Sequence, residues 1–137
     1  MLPASPTVFM NHRDSEDNVI SGSVVDAAFA VHSKLGPGLL ESVYERCLIR
    51  ALRNRGLAFK SQLFLPIEFE GLVLPSGLRL DLVVENRVIV EIKAVEILLP
   101  VNKAQLLTYL RLSGFRVGLL INFNVPLIKS GITRMVL

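Results

Sequence analysis

The stretch RLDLVVENRVIVEIKAVE, residues 79–96, constrains the fold of this chain more than any other. It holds two runs of aliphatic and β-branched residues separated by Glu85 and Asn86, the pattern of two neighbouring strands joined by a turn. Runs this apolar suit strands covered on both faces. Each nevertheless carries charge: Asp81 in the first, Glu91 and Lys93 in the second. Burying an unpaired charge costs on the order of several kcal/mol, so these three side chains need a common explanation.

Strand alternation puts Glu91 and Lys93 on one face and the Ile92 side chain on the other. A hairpin across Glu85 and Asn86 brings Asp81 beside Glu91. A simple two-residue turn would pair Val84 with Arg87 and Asp81 with Val90, sending the two acids to opposite faces. An odd-length loop or a bulge is therefore expected. Two adjoining carboxylates repel unless something positive lies between them, and a hard divalent ion held by oxygens meets that need. Mg²⁺ or Mn²⁺ on Asp81, Glu91 and the backbone carbonyl of Ile92 is the expected arrangement. The plainer alternative is a strand-edge salt bridge in which Lys93 neutralises one acid.

Around this hairpin the apolar periodicity predicts further elements. Residues 1–17 mix Pro, Ser, Asn and charge without periodicity and read as a flexible tail, leaving 18–137 as a single domain. A first helix runs from about Asn18 to the GPG at 36–38, and a second from about Leu39 to Arg55, ended by Gly56. β-rich runs follow at about 58–69, 72–74, 78–84 and 87–94, with turn signals at Gly71, at 75–77 and at 85–86. A third helix follows Pro100 and is closed by Gly114, and strands at about 115–122 and 132–136 finish the chain. Helices, then a strand meander, then a helix and a returning strand make an α/β fold with a mixed sheet flanked by helices.

Polar residues recur on the apolar faces of these helices. Glu41 borders the face formed by Tyr44 and Leu48, away from the Arg46, Arg50 and Arg53 stripe, so it can point toward the sheet. Gln105 and Tyr109, four residues apart, share a face with Val101 and Leu112. The arginine stripe reads as a solvated helix face that could touch phosphates. His32 reads as a packed or capping residue, and His12 as solvated.

Hydrophobic residues make up 51% of the 137, yet no uninterrupted apolar stretch approaches the roughly 18 residues that cross a bilayer. The N-terminus lacks a basic-then-apolar signal pattern. A cytoplasmic protein with no membrane association is expected. The single Cys47 can form no internal disulfide and reads as a small core residue, and no zinc-like Cys/His spacing occurs. Net charge is +3, but residues 1–17 hold Arg13 against Asp14, Glu16 and Asp17, so the remainder carries 14 basic and 9 acidic groups. That surplus permits contact with nucleic acid.

The segment GLLESVY, Gly38 to Tyr44, resembles the signature of the GxxExxY proteins, and VHSKLGPGLLE, QLLTYL and GLLINF resemble the same family in order, over about residues 18–137. That family is similar to the PD-(D/E)XK nuclease superfamily, whose pattern is an acid on one strand and (D/E)-x-K on the next. Asp81, Glu91 and Lys93 match it, with Leu80 where the pattern has Pro. Glu41 matches the extra helical acid of many branches, and Gln105 with Tyr109 resembles the Q-x-x-x-Y element of RecB-like nucleases.

The resemblance implies a restriction-endonuclease-like core and a Mg²⁺- or Mn²⁺-dependent phosphodiesterase acting on nucleic acid, DNA before RNA. In that reading Asp81 and Glu91 hold the ion, Glu41 reaches it directly or through water, and Lys93 serves the attacking water. Gln105 and Tyr109 fix the site or the strand. A homodimer is one way for so small a chain to span a duplex. The rival expectations are a nucleic-acid-binding module that does not cut and a metal-independent interaction domain on the same fold.

Overall fold

The computed structural model describes residues 12–137, with side chains from Asp14 on. The expectations for residues 1–11 and for the His12 side chain lie outside this range. Two helices come first, α1 (His12–Leu35) and α2 (Glu41–Asn54). Three antiparallel strands follow, β1 (Phe59–Phe69), β2 (Leu72–Val84) and β3 (Val88–Lys93). Helix α3 (Pro100–Ser113) then leads to β4 (Val117–Asn122), which lies parallel to β3, and β5 (Ile132–Val136) returns antiparallel. The strands form one mixed five-stranded sheet in the order β1-β2-β3-β4-β5. This is the expected α/β architecture.

One face of the sheet carries α1 and α2, the other α3. Val24, Ala27, Ala28 and Val31 of α1 are buried at helical spacing and meet Tyr44, Leu48 and Leu52 of α2 over Leu82, Val84, Val88, Val90 and Ile92. On the far side Leu106 and Leu110 of α3 cover Val83, Ile89 and Leu120. A Cβ on Gly118 would come within 2.7 Å of Leu106, so this glycine lets α3 settle against the sheet. The central strands are buried on both faces, as their unbroken apolar runs suggest. No helix among the described residues is long and apolar enough to cross a membrane.

Two boundaries differ from the sequence expectation. Helix α1 starts at His12, so residues 12–17 are helix rather than tail. Asp14 pairs with Arg116 at 2.8 Å, Asp17 with Arg87 at 3.2 Å, and Glu16 also pairs with Arg87. Partners 70 or more positions away leave no local periodicity to read, while acids in the first turns also suit the helix dipole. The second difference is β2, which runs unbroken for 13 residues through the 75–77 segment that reads as a turn. The pairing with β1 jumps there, from Leu65↔Leu78 to Ile67↔Leu74. Pro66 has no N–H to give the ladder, and Gly77 leaves room for Ile67, which a Cβ would meet at 2.9 Å. The signal marked a bulge instead of a chain reversal.

Candidate active site

The β2–β3 connection resolves the parity question. Glu85 and Asn86 both take positive φ of 53°, and Arg87 N–H closes the turn on the Val84 carbonyl at 3.0 Å. Val84 then pairs with Val88, leaving Arg87 as the extra residue. The register continues through Val83↔Ile89 to Leu82↔Val90, so the next step sets Asp81 opposite Glu91. Glu85 repays its strained backbone with a carboxylate that accepts Ala58 N–H at 2.9 Å.

At this step the two strands part. Only three residue pairs join β2 to β3, while β1 and β2 continue together as a long arm. Where the ladder stops, the acids replace it. The Asp81 N–H donates to Glu91 Oε1 at 3.2 Å, and the Ile92 N–H donates to Asp81 Oδ2 at 3.0 Å. Each carboxylate thus satisfies a backbone donor that the fork would leave orphaned. The sheet changes sides here as well, because Leu82 packs toward α1 and α2 whereas Leu80, two residues earlier, packs toward α3. Opposite the switch, Gln62 has a φ of 53° and donates its side-chain amide to Glu45 at 2.9 Å.

Asp81 and Glu91 are 9% and 4% exposed. Burial, then the charge of Asp81, pushes the Glu91 carboxyl up to about 8, and Lys93 only partly offsets this. Near neutral pH the pair therefore holds a proton that a cation could replace, which is the electrostatic condition of an oxygen-liganded divalent site. For Ile92, the group brought to the acids is its N–H; its side chain lies in the α1/α2 core.

Glu41 opens α2 at the mouth of the fork. Partial burial raises its pKa, followed by the charge of Asp81, while Lys93 and Arg79 act in the opposite sense. Its coupling to the pair is electrostatic: among the described residues, no three His, Cys, Asp or Glu side chains are grouped to hold an ion. Its own placement is fixed by Tyr44, whose hydroxyl donates to the Gly36 carbonyl at 2.6 Å and accepts the Leu39 N–H at 3.1 Å. The buried Tyr44 ring stacks on Phe123 with centroids 4.7 Å apart. Two of the features that attract notice in GLLESVY therefore have separate duties, an acid at the fork and a tyrosine that ties down the loop before it.

Lys93 ends β3, half-buried, and its charge lowers the pKa of both Glu41 and Glu91. It forms no ion pair within the described residues, so the salt-bridge alternative is not what the fold builds. From the other side α3 contributes Tyr109, whose pKa is raised by burial and then by the charges of Glu91 and Asp81. Gln105 lies one turn earlier, partly buried. Asp81, Glu91, Lys93, Glu41 and Tyr109 thus share one electrostatic neighbourhood.

Sequence reasoning missed two residues here. Arg79, exposed on β2 two positions before Asp81, places a cation that acts on both Glu41 and Tyr109. Asn122 is buried at the end of β4 directly beside Lys93. A lone amide closing the apolar run VGLLIN was the available signal. Elsewhere, His32 is buried with its Nε2–H donating to the Val125 carbonyl at 2.8 Å, a packing role. In the arginine stripe, Arg53 lies over the Phe59 ring at 5.2 Å, and Cys47 packs half-buried against the core.

The family model of the PD-(D/E)XK nuclease superfamily matches residues 18–135. A fork with an acid on one strand and E-x-K on the next is the layout that this superfamily's name describes, and the chain belongs to it. No curated protein and no solved structure matches the chain.

Proposed function

We propose that the protein is a divalent-metal-dependent nuclease that hydrolyses phosphodiester bonds in DNA. The observation that carries this reading is the fork, where Asp81 faces Glu91 and Lys93 follows two residues on, without an ion-pair partner among the described residues. Nucleases of this superfamily generally use divalent metals, and the Asp81–Glu91 pair has the hard oxygen donors that Mg²⁺ or Mn²⁺ prefers.

Asp81 and Glu91 would hold the ion, with Glu41 reaching it through water. When bound, such an ion polarises the scissile phosphate and lowers the pKa of coordinated water. Lys93 would orient the attacking water and balance the charge that develops on the phosphate. Tyr109, with Gln105 behind it, lines the α3 side and positions the strand. Arg79 adds a cation at the mouth where the flanking backbone passes. Membership of a superfamily fixes the scaffold and leaves the chemistry to these residues.

The test is cleavage of a panel of plasmid, linear, single-stranded and branched DNA, and RNA, with Mg²⁺, Mn²⁺ or EDTA. Metal-dependent cutting of a DNA member by wild type, lost in Asp81→Asn, is the expected result. Binding without cutting under every condition would instead make the fork a non-catalytic nucleic-acid module.

A further inference from the structure

Beyond the acids and the lysine, the end of β4 holds a side chain whose hydrogen bonding reaches into the site. Asn122 is 3% exposed and pairs with Lys93 in the parallel β3–β4 ladder. Its Oδ1 accepts the Val95 N–H at 3.0 Å and the Asn124 N–H at 3.2 Å, and its Nδ2 donates to the Val95 carbonyl at 2.9 Å. A carboxamide offers the same donor and acceptor as a peptide group. The side chain of Asn122 therefore serves both backbone groups of Val95, the residue two beyond Lys93, just where the strand pairing ends.

The surroundings hold Asn122 in turn. The Phe123 N–H donates to the Lys93 carbonyl at 2.9 Å, and the Phe123 ring is the one stacked on Tyr44. A Cβ on Gly131 would stand 2.2 Å from the Asn122 carbonyl oxygen, so the short 3-10 turn Ile128–Gly131 packs its backbone directly on this residue. Beyond Val95 the chain crosses without regular structure to Pro100, where α3 begins and carries Tyr109 toward the fork. One amide thus sits between the lysine and the origin of the helix that closes the site.

We infer that Asn122 is the positioning residue of the active site: by clamping Val95 it fixes where β3 stops, and with it the direction of Lys93 and the approach of α3. Its effect on turnover rests on the nuclease reading; its effect on Lys93 does not. An apolar residue at this position would leave three polar backbone groups to find other partners. Asp81 and Glu91 are held by their own bonds to β2 and β3, so the clamp acts on the lysine and on α3 and leaves the acid pair in place.

The test compares wild type with Asn122→Ala and Asn122→Asp; the second keeps an oxygen for the Val95 and Asn124 amides but sets a charged oxygen where Nδ2 donated to the Val95 carbonyl. In Asn122→Ala the Val95 and Asn124 amides should exchange with deuterium about tenfold faster or more, a local opening within a folded protein. On the DNA that wild type cuts best, turnover should fall about 10-fold to 100-fold with the dissociation constant within a few-fold. The rise in melting temperature given by Mg²⁺ should persist. Asn122→Asp should keep both amides slower to exchange than in Asn122→Ala, with turnover still below wild type, and if the alanine variant does not fold this lowered turnover is the readout that remains.

A third readout is independent of cutting: reductive methylation of Lys93 relative to Lys34, Lys60, Lys103 and Lys129. A changed Lys93 rate in Asn122→Ala supports the clamp even if wild type cuts nothing, in which case only the nuclease reading fails. Faster exchange at Val95 with unchanged Lys93 reactivity and unchanged turnover overturns the inference and leaves Asn122 as a strand cap.

Discussion

The rings of Tyr44 and Phe123 lie 4.7 Å apart and within 7° of parallel, a stack that joins the helix bearing Glu41 to the strand end that follows Asn122 and faces Lys93. Glu41 and Lys93 reach the fork from different parts of the chain, and this contact sets one against the other. The Tyr44 hydroxyl extends the tie to the loop before Glu41 through Gly36 and Leu39. Tyr44→Phe keeps the stack and removes both hydrogen bonds, so unfolding in urea should show a loss of about 1–3 kcal/mol. Tyr44→Ala should cost about 3–5 kcal/mol, since a fully buried aromatic leaves a cavity. A phenylalanine variant as stable as wild type would show that the loop is held by something else.

Divalent ions should stabilise the fold. Asp81 and Glu91 face each other across the fork, and an ion that binds only the native state adds RT ln(1 + [L]/Kd), about 2.7 kcal/mol at 100 times Kd. The expected outcome is a higher melting temperature in millimolar Mg²⁺ or Mn²⁺ than in EDTA, and no difference in Asp81→Asn. Equal melting temperatures for wild type would count against a metal site at the fork.

The pH dependence of the metal-free protein has a definite sign. Burial and the charge of Asp81 push the folded Glu91 carboxyl up to about 8 from its ordinary value of 4.5, so between these values the native state holds a proton that the unfolded chain has lost. Stability must then fall as pH rises from about 4.5 to 8, by an amount on the order of a few kcal/mol. The raised Glu41 acts in the same direction. Urea denaturation in EDTA at pH 5 and pH 8 measures the drop. Glu91→Gln should flatten it, and a wild-type protein more stable at pH 8 than at pH 5 would contradict the buried, protonated pair.

Lys93→Ala separates chemistry from binding. The lysine ends a strand that β4 and Asn122 hold in place, so its loss should leave the domain folded. Turnover should drop roughly 10²-fold or more, while affinity for DNA stays within a few-fold, because the charge acts mainly on the transition state. Cutting that survives the substitution would point to a different active site or a contaminating enzyme.

The sequence by itself determined much of this protein. Apolar period and punctuation set three helices and six strand runs near their observed places, two of the runs joining into β2, and the charges inside 79–96 named the acid pair and the lysine. Those signals are local, because each depends on side chains a few residues apart along one helix or strand. Even the need for an odd residue in the β2–β3 turn was legible, since parity follows from alternation alone; that Arg87 is that residue was not. Tertiary structure decided what depends on contacts between distant residues. It extended α1 back to His12 through Arg87 and Arg116, turned an apparent reversal at 75–77 into a bulge against Ile67, and parted β2 from β3 at Asp81 and Glu91. It also set Arg79 near the acids and Asn122 beside Lys93, the first with no motif signal of its own and the second marked only as a lone amide closing an apolar run. Their roles arise from the charge and the backbone groups that the fold sets beside them, and one strand's sequence holds no record of its neighbour.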